Sequence, residues 1–229
     1  ERTDNLILPL DVAPSTGFLS YMDNLGATKN TGYELSLSAP VIRNRTRNIF
    51  WTLTFNTGHY KNIITKVSPA IEAINAANNS DDLSQTTPLP RFVVGQSLTQ
   101  IWAVKSLGID PATGKEVFEK LDGTKTFDWD PNDKQPVGDA MAKFKGMFGS
   151  NLTIKNFVFP APFVFAPGGQ YYNQTLLDKI ENVHLLITNA DQRVLSDRWK
   201  QPGDHVSYKS LVAKGTNGLQ LTRSTSRFV

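Results

Sequence analysis

The sequence contains no cysteine and only three histidines among its 229 residues. Without cysteine, a disulfide framework and thiolate chemistry are both excluded. The histidines (His59, His184 and His205) are scattered without ligand-like spacing, which argues against a zinc site built from them. The chain also lacks an apolar run of the roughly 18–20 residues that a transmembrane helix needs, so the sequence offers no candidate for such a helix.

The chain has no strong excess of charge of either sign. Its 24 basic and 21 acidic residues leave a net charge of +3, and no clustered basic stripe stands out. So small an excess gives no reason to expect a nucleic-acid partner. No signal peptide begins the sequence, and a new apolar stretch starts at its last residues, "STSRFV". We therefore expect this chain to be a piece of a longer protein.

Alternating apolar and polar residues predict a first β-hairpin near residues 31–59. In "TGYELSLSAPVI" (31–42), Tyr33, Leu35 and Leu37 fall on one face. "IFWTLTFNTGH" (49–59) repeats the alternation, and the short polar segment "RNRTRN" separates the two runs. A period of two residues is the signature of a strand with one apolar face, and a short polar segment between two such strands indicates a turn.

A second hairpin is predicted near residues 144–165. After an alternating run that ends at Ile154, two residues (Lys155 and Asn156) precede "FVFPAPFVF", in which phenylalanines fall on one face. A two-residue connection favours a tight hairpin turn. Pro160 and Pro162 lie on the opposite face from the phenylalanines. Because proline removes ladder donors, the strand is predicted to be an edge strand or to carry a bulge.

The segments outside the hairpins are long and carry turn and helix signals. Residues 60–143 and 166–229 are predicted to be long loops, with a short helix at 67–79, a hairpin at 108–118 and a helical turn at 175–183. Short turns on one side and long loops on the other are typical of a transmembrane β-barrel. Alternation alone fits a soluble antiparallel β protein with one buried face better, since the barrel signal per strand is weak.

An acidic, proline-broken loop offers a candidate calcium site. "DWDPND" places Asp128, Asp130 and Asn132 at alternating positions, from which oxygen atoms can reach a calcium ion. The EF-hand pattern fails here, because Asp133 occupies the glycine position and Asp139 replaces the closing glutamate. The alternative is a solvated acidic loop without a metal. No other cofactor is predicted.

Aromatic side chains in the long segments are candidates for substrate binding. Exposed aromatic rings on loops can stack on sugars or peptides, whereas buried ones pack the loops together. Both alternatives stay open for each ring. The candidates are Trp102, Trp129, Tyr171, Tyr172 and Trp199.

No catalytic arrangement is identifiable from residue spacing. His205 beside Asp204 is the nearest approach to a triad element, and no paired carboxylates have the spacing of a glycoside hydrolase. The sequence therefore predicts that the protein is not an enzyme.

Several strings, in order along the chain, resemble SusC/RagA-type TonB-linked outer-membrane transporters. "NLGATKNTGYELSLSAPVI" (24–42) is similar to the N-x-G-x-x-x-N-x-G-x-E-L-x-L strand of that family, and "IWAVKSLGIDPATGKEVF" (101–118) resembles one of its loops. "PGGQYYNQTLLDKIENV" (167–183) resembles a strand exit. "NADQRVLSDRWKQPGDHVSYK" (189–209) and "TRSTSRFV" (222–229) resemble the loop before its next strand.

The resemblance implies an all-β fold: a segment of an antiparallel transmembrane β-barrel with short periplasmic turns and long extracellular loops. It implies that residues 1–229 are a late part of a single barrel domain in the cell outer membrane. The family imports glycan or peptide fragments, powered by the TonB complex through an N-terminal part that this sequence lacks. A SusD-like lipoprotein lid and outer-membrane lipid are the other implied partners.

Two functional hypotheses follow. The first is barrel wall and extracellular loops of such an importer, with lumen-facing polar residues on the strands tuning selectivity; these are Glu34, Ser36, Thr52, Thr54, Asn151 and Thr153. The second is a soluble β-rich carbohydrate-binding or adhesion module that uses its loop aromatics. An enzyme ranks behind both.

Overall fold

The computed structural model describes residues 2–11, 20–81, 86–183, 189–211 and 223–229. Most of the described residues are in antiparallel β-sheet, and the helices are few and short. No helix in these residues has the length and apolar character needed to cross a membrane. The described residues form the strands β1 (Arg2–Asp11), β2 (Ser20–Asn44), β3 (Ile49–Val67), β4 (Gln100–Ile109), β5 (Glu116–Glu119), β6 (Lys125–Thr126), β7 (Lys134–Asp139), β8 (Lys145–Ile154) and β9 (Phe157–Phe165).

The chain divides into two compact units. The first, the sheet unit, comprises residues 1–68, 93–98 and 140–170, and the second, the loop unit, comprises residues 69–92, 99–139 and 171–229. Helices occur in the loop unit: α1 (Pro69–Asp81), α2 (Gln174–Leu176) and α3 (Arg193–Ser196).

The sheet unit contains a five-stranded antiparallel sheet in the order β1-β2-β3-β8-β9. Both hairpins indicated by the alternating runs are present in it, as β2–β3 and β8–β9. In the first turn, the Asn44 side chain accepts a hydrogen bond from the Arg47 N–H at 2.9 Å. Asn48, with a φ of 53°, ends that turn, and Lys155, also at 53°, begins the second. Asparagine is one of the few residues that adopt this left-handed conformation readily, whereas lysine adopts it at a cost.

Two strands of the sheet are much longer than the alternating runs in the sequence. β2 has 25 residues and β3 has 19. Their extensions pair with each other from Gly26↔Val67 to Asn30↔Asn62, and β1 pairs with the start of β2. The extensions carry many polar residues and show no period-two alternation. The alternating pattern in the sequence therefore covers only part of each strand.

The loop unit is built on a small antiparallel sheet in the order β6-β5-β4-β7. The link from β4 to β5 is tight because Asp110 accepts hydrogen bonds from the backbone of Ala112 and Thr113 and from the Thr113 hydroxyl. These bonds, the one from the Thr113 hydroxyl foremost, lower the pKa of Asp110. Gly114, at a φ of 70°, completes the turn, as the hairpin predicted at 108–118 requires.

A compact hydrophobic cluster holds the remaining segments of the loop unit together. It draws on a π-helical stretch, Leu177–Glu181, that continues α2, on α3 and on a 3-10 turn, Ser226–Phe228. The helical turn predicted at 175–183 is therefore present. The buried members are Leu177, Ile180, Val183, Val194, Tyr208 and Phe228.

Candidate functional site

One face of the five-stranded sheet is apolar across four strands. The registers align these side chains in continuous rows, because β2, β3, β8 and β9 pair without a shift in this part of the sheet. One such row is Leu37, Phe55, Phe148 and Phe163. Leu37 is 54% exposed and Phe163 is 61% exposed. Large apolar side chains are thus exposed in contiguous rows, which is rare on the surface of a monomeric soluble domain.

The opposite face is mainly polar on β2, β3 and β8, whereas on β9 it carries valines and prolines. It carries the residues that the sequence predicted to face a lumen, from Glu34 and Ser36 on β2 to Asn151 and Thr153 on β8. Hydrogen bonds connect the strands on this face: Ser36 Oγ donates to Asn56 Oδ1 at 2.6 Å within one row, and the Tyr60 hydroxyl donates diagonally to Glu34. The sheet therefore separates an apolar surface from a hydrogen-bonded polar one.

The two prolines of β9 lie on the free edge of the described sheet. Lys155 N–H donates to Asn48 O at 2.7 Å. Because antiparallel residues bond alternately to the two neighbouring strands, odd-numbered residues of β8 bond to β3 and even-numbered ones bond to β9. Ile154 pairs with Phe157, so the odd-numbered residues of β9 bond back to β8.

The backbone nitrogens of Pro160 and Pro162 therefore point away from β8, so their lack of an N–H removes no hydrogen bond from the β8–β9 pair. The β8–β9 register runs from Gly146↔Phe165 to Ile154↔Phe157 without a shift. Of the two alternatives raised by the sequence, the strand is an edge strand of the described sheet and carries no bulge in its pairing with β8.

Three tryptophans predicted to bind substrate are engaged within the loop unit. Trp199 Nε1 donates to Pro111 O at 2.8 Å, and Trp129 Nε1 donates to Ser224 O at 3.1 Å. Trp102 is buried, and the guanidinium of Arg91 lies 5.1 Å from its ring centroid. In these positions the indoles pack and tie the loops together.

The two adjacent tyrosines are in different environments. The Tyr172 hydroxyl donates to Thr86 O at 3.1 Å, and its ring meets Phe228 edge-on at 6.0 Å. Burial raises the pKa of Tyr172. Tyr171 is 76% exposed. Of the five predicted aromatics, Tyr171 is exposed and the other four are buried or half-buried.

The candidate calcium residues form part of a small capped turn. Asp130 accepts a hydrogen bond from the Asn132 N–H at 2.8 Å and caps the 3-10 turn Pro131–Asp133. Asp128 and Asn132 are exposed. Within the described part of the chain, no three acidic, histidine or cysteine residues are grouped closely enough to hold a metal ion. The calcium site stays a prediction from the sequence.

A buried ionic network, which the sequence did not single out, connects three segments of the loop unit. Arg227 donates to both carboxylate oxygens of Glu116, at 2.8 and 3.0 Å, and to Glu181 Oε1 at 2.8 Å. Its third nitrogen donates to Ser207 O at 2.6 Å. Glu116 and Glu181 are buried.

A second buried arginine completes the network. Arg198 donates to the backbone oxygens of Val194, Lys209 and Ile180. Its guanidinium lies 3.5 Å from Glu181 Oε2. Burial lowers the pKa of Arg198, whereas the attraction of Glu116 and Glu181 outweighs burial at Arg227 and raises its pKa. Each member of the network lies in one of the strings that resemble the SusC/RagA-type family: "GKEVF", "KIENV", "SDRWK" and "STSRFV". The charged residues of these strings are therefore the sequence feature that could have indicated the network.

An open apolar groove lies on the small sheet of the loop unit. It has a volume of about 390 Å³. The lining is apolar at Leu107, Ile109, Val117 and Phe127, with Lys125 and Asp110 beside them. Grooves with apolar walls and a few polar groups are the usual form of a ligand site.

Comparisons with known proteins identify similar proteins among the TonB-dependent receptors. No family model matches the sequence. Three curated relatives from Formosa agariphila are named TonB-dependent receptors: P3 (25% identical, 77% of this chain and 19% of the relative), P39 (23%, 95% and 24%) and P26 (26%, 87% and 20%). The chain thus spans about a fifth to a quarter of the length of these relatives.

Solved structures share the fold. The RagAB peptide transporter matches with a TM-score of 0.69 at 19% identity over 91% of this chain and 23% of that chain. The RagAB peptide importer in its "open-open" state matches with a TM-score of 0.68 at 19% identity, over 96% of this chain and 23% of that chain. The relatives and structures carry the names of receptors and transporters and not of enzymes. The chain is therefore a relative of the TonB-dependent receptors of the outer membrane, and the resemblance of its sequence to the SusC/RagA-type transporters is confirmed.

Proposed function

We propose that residues 1–229 are part of the single barrel domain of a TonB-dependent outer-membrane importer, and form barrel wall and extracellular loops. The observation that carries this proposal is the exposed apolar face of β2, β3, β8 and β9, which is backed by a mainly polar face on β2, β3 and β8. β8 has ten residues, which at about 3.4 Å each and a tilt of about 45° span roughly 24 Å. That height matches the apolar band of about 25 Å on membrane barrels.

The connections support an orientation for this segment. β2–β3 and β8–β9 are joined by short turns at one end of the sheet, whereas the long segments leave from Val67 and Phe165 and return at Lys145, at the other end. Bacterial outer-membrane barrels have short periplasmic turns and long extracellular loops. The turns then face the periplasm, and the long segments that connect the other strand ends are the extracellular loops of this proposal.

The imported substrate in this proposal is a glycan or peptide fragment, and the chain performs no catalysis. The RagAB structures are described as a peptide transporter and importer, which favours peptide as the first ligand to test. The open groove beside Phe127 and the exposed ring of Tyr171 are the surfaces that we assign to substrate or to a SusD-like lipoprotein lid. TonB would act through parts of the protein that lie outside this chain.

The alternative, a soluble carbohydrate-binding or adhesion module, leaves the apolar face unexplained. A monomeric soluble domain rarely exposes a contiguous apolar patch of more than a few hundred Å², and rows of phenylalanine, leucine and isoleucine cross four strands here. In lipid the same surface is favoured. Exposure of Tyr171 is compatible with either function.

Adjacent residues of β9 provide a direct test. Phe163 and Val164 lie on opposite faces, and Val164 is 81% exposed. This chain has no cysteine, so Phe163→Cys and Val164→Cys can be made singly in the intact parent protein, in a background free of other reactive cysteines. In isolated outer membranes, we expect a membrane-impermeant maleimide to label V164C, and to label F163C only after the protein is denatured. Equal labelling of both variants in membranes, or recovery of the parent in the soluble fraction, would refute the proposal.

A further inference from the structure

The two short turns of the sheet unit together form a dense basic surface. Three arginines lie in or beside the first turn, and Lys155 lies in the second. All four side chains are exposed: Arg43, Arg45, Arg47 and Lys155. We refer to these four residues as the basic turn cluster.

Hydrogen bonds between the turns hold the cluster together. Lys155 N–H donates to Asn48 O at 2.7 Å, and Asn48 Nδ2 donates to Lys155 O at 2.9 Å. Asn44 accepts from Arg47 N–H at 2.9 Å within the first turn. The positive charges therefore lie together at one end of the sheet and not on independent loops.

No carboxylates balance the positive charge at this end of the sheet. The sequence has no aspartate or glutamate between residues 35 and 71 or between residues 140 and 177. Glu34, the nearest carboxylate along β2, pairs across the sheet with Gly58, ten residues along the strand from Asn44. Among the described residues, no carboxylate forms an ion pair with any member of the cluster.

The cluster lies immediately beyond the apolar face. Ile49, Ile154 and Phe157 form the last apolar row before the turns, and Trp51 follows in the next row, where its Nε1 donates to Ser150 Oγ at 2.9 Å. A hydrophobic band bordered by basic side chains matches the profile of a lipid leaflet, with acyl chains meeting phosphate headgroups. Arginine binds phosphate through two parallel hydrogen bonds.

The backbone of Lys155 adopts a conformation that is unusual for lysine. Its φ of 53° lies in the left-handed region, which is unfavourable for most non-glycine residues. Asparagine or glycine would adopt this conformation at a lower cost. A lysine at this position adds a fourth positive charge to the cluster.

We propose that the basic turn cluster binds anionic phospholipid headgroups of the membrane leaflet on the short-turn side. This inference rests on the proposed function, because it requires the apolar face to lie in lipid. Each basic residue near an anionic surface contributes about 1 kcal/mol, equivalent to about a fivefold change in binding. Because four such contributions multiply, removal of all four charges should weaken retention of anionic lipid by up to several hundredfold.

The test uses the intact receptor, extracted in detergent and titrated with phosphatidylglycerol or phosphatidylcholine under native mass spectrometry. The variant carries Arg43→Gln, Arg45→Gln, Arg47→Gln and Lys155→Gln. A control variant removes four exposed charges from the loop unit instead: Lys120→Gln, Lys125→Gln, Lys179→Gln and Lys200→Gln. We expect wild type and the control to retain phosphatidylglycerol over phosphatidylcholine, and the cluster variant to lose this preference.

Three results would overturn the inference while leaving the proposed function intact. They are no phosphatidylglycerol preference in wild type, an unchanged preference in the cluster variant, and full displacement of the lipid by an equal concentration of inorganic phosphate. The electrophoretic mobility shift of a folded barrel upon heating is measured in parallel. A shift in all variants shows that folding is kept, whereas the cysteine labelling above decides independently whether the sheet lies in the membrane.

Discussion

The buried ionic network predicts that Arg227 determines the stability of the loop unit. Replacement of Arg227 by alanine removes the donor to Glu116 and Glu181 and leaves two buried carboxylates without it. Removal of one partner from a buried, hydrogen-bonded ion pair typically costs about 3–5 kcal/mol. The cost comes mainly from the charges left behind, since their desolvation is no longer offset.

The assay is hydrogen exchange of the intact receptor in lipid nanodiscs, read on peptides of β4 and of the Leu177–Glu181 stretch. A loss of 3–5 kcal/mol increases local opening by roughly a hundredfold to several thousandfold. If the loss exceeds the stability of the unit, these peptides lose protection completely. Peptides of β8 and β9 should be unaffected, because their hydrogen bonds lie in the sheet unit.

Two variants make the test specific. Lys105→Gln removes the more exposed ion pair with Glu119 (2.8 Å) and should cost at most about 1 kcal/mol. Arg227→Lys keeps the charge but cannot reproduce the bidentate bond to Glu116 together with the bonds to Glu181 and Ser207, so an intermediate loss is expected. If R227A opens no faster than K105Q, the network does not hold the loop unit together and the reasoning is wrong.

Three further predictions concern single residues of the loop unit. Gly114→Ala should destabilise the unit by about 1–3 kcal/mol in urea titration, because a Cβ there would lie 2.4 Å from the Trp199 ring; Gly123→Ala, at a similar φ but in open space, is the matched control and should cost less. Tyr171→Ala should reduce peptide binding in calorimetry without changing stability, whereas Trp199→Ala should lower stability; the opposite order would contradict the assignment. Burial lowers the pKa of Lys134 to about 8, below that of the unfolded chain, so stability rises between about pH 8 and 10.5 as the folded state loses its proton. Lys134→Met should therefore slow subtilisin digestion of the unit at pH 7, with a smaller benefit at pH 9.5, and an equal benefit at both pH values would exclude this cause.

The hairpins could be predicted from the sequence because alternation reports directly on a two-faced strand. "TGYELSLSAPVI" and "IFWTLTFNTGH" mark the part of the β2–β3 pair that has an apolar face, and the two-residue Lys155–Asn156 turn marks the β8–β9 pair. The extensions of β2 and β3 escaped prediction because their pairing does not depend on an apolar face. Backbone hydrogen bonds between polar extended segments leave no periodic signal.

The loop aromatics and the ionic network show a different limit of sequence reasoning. Whether a tryptophan such as Trp199 packs or binds depends on partners such as Gly114 and Pro111, which lie more than 80 residues away along the chain. Glu116, Glu181 and Arg227 are likewise far apart in sequence and meet only in the folded unit. Spacing along the chain could not place them together.

The contrast between the two units indicates that they meet different surroundings. The loop unit buries its apolar cluster and its arginine–glutamate network, as water requires. The sheet unit exposes its apolar rows and hydrogen-bonds its polar face across the strands, an arrangement that water disfavours and lipid favours. A lipid environment also constrains the outer edge of β9, where Pro160 and Pro162 have backbone carbonyls but no N–H donors. A strand that pairs with this edge must donate N–H groups to these carbonyls and must satisfy its own facing carbonyls in another way. An unpaired backbone group in lipid costs several kcal/mol.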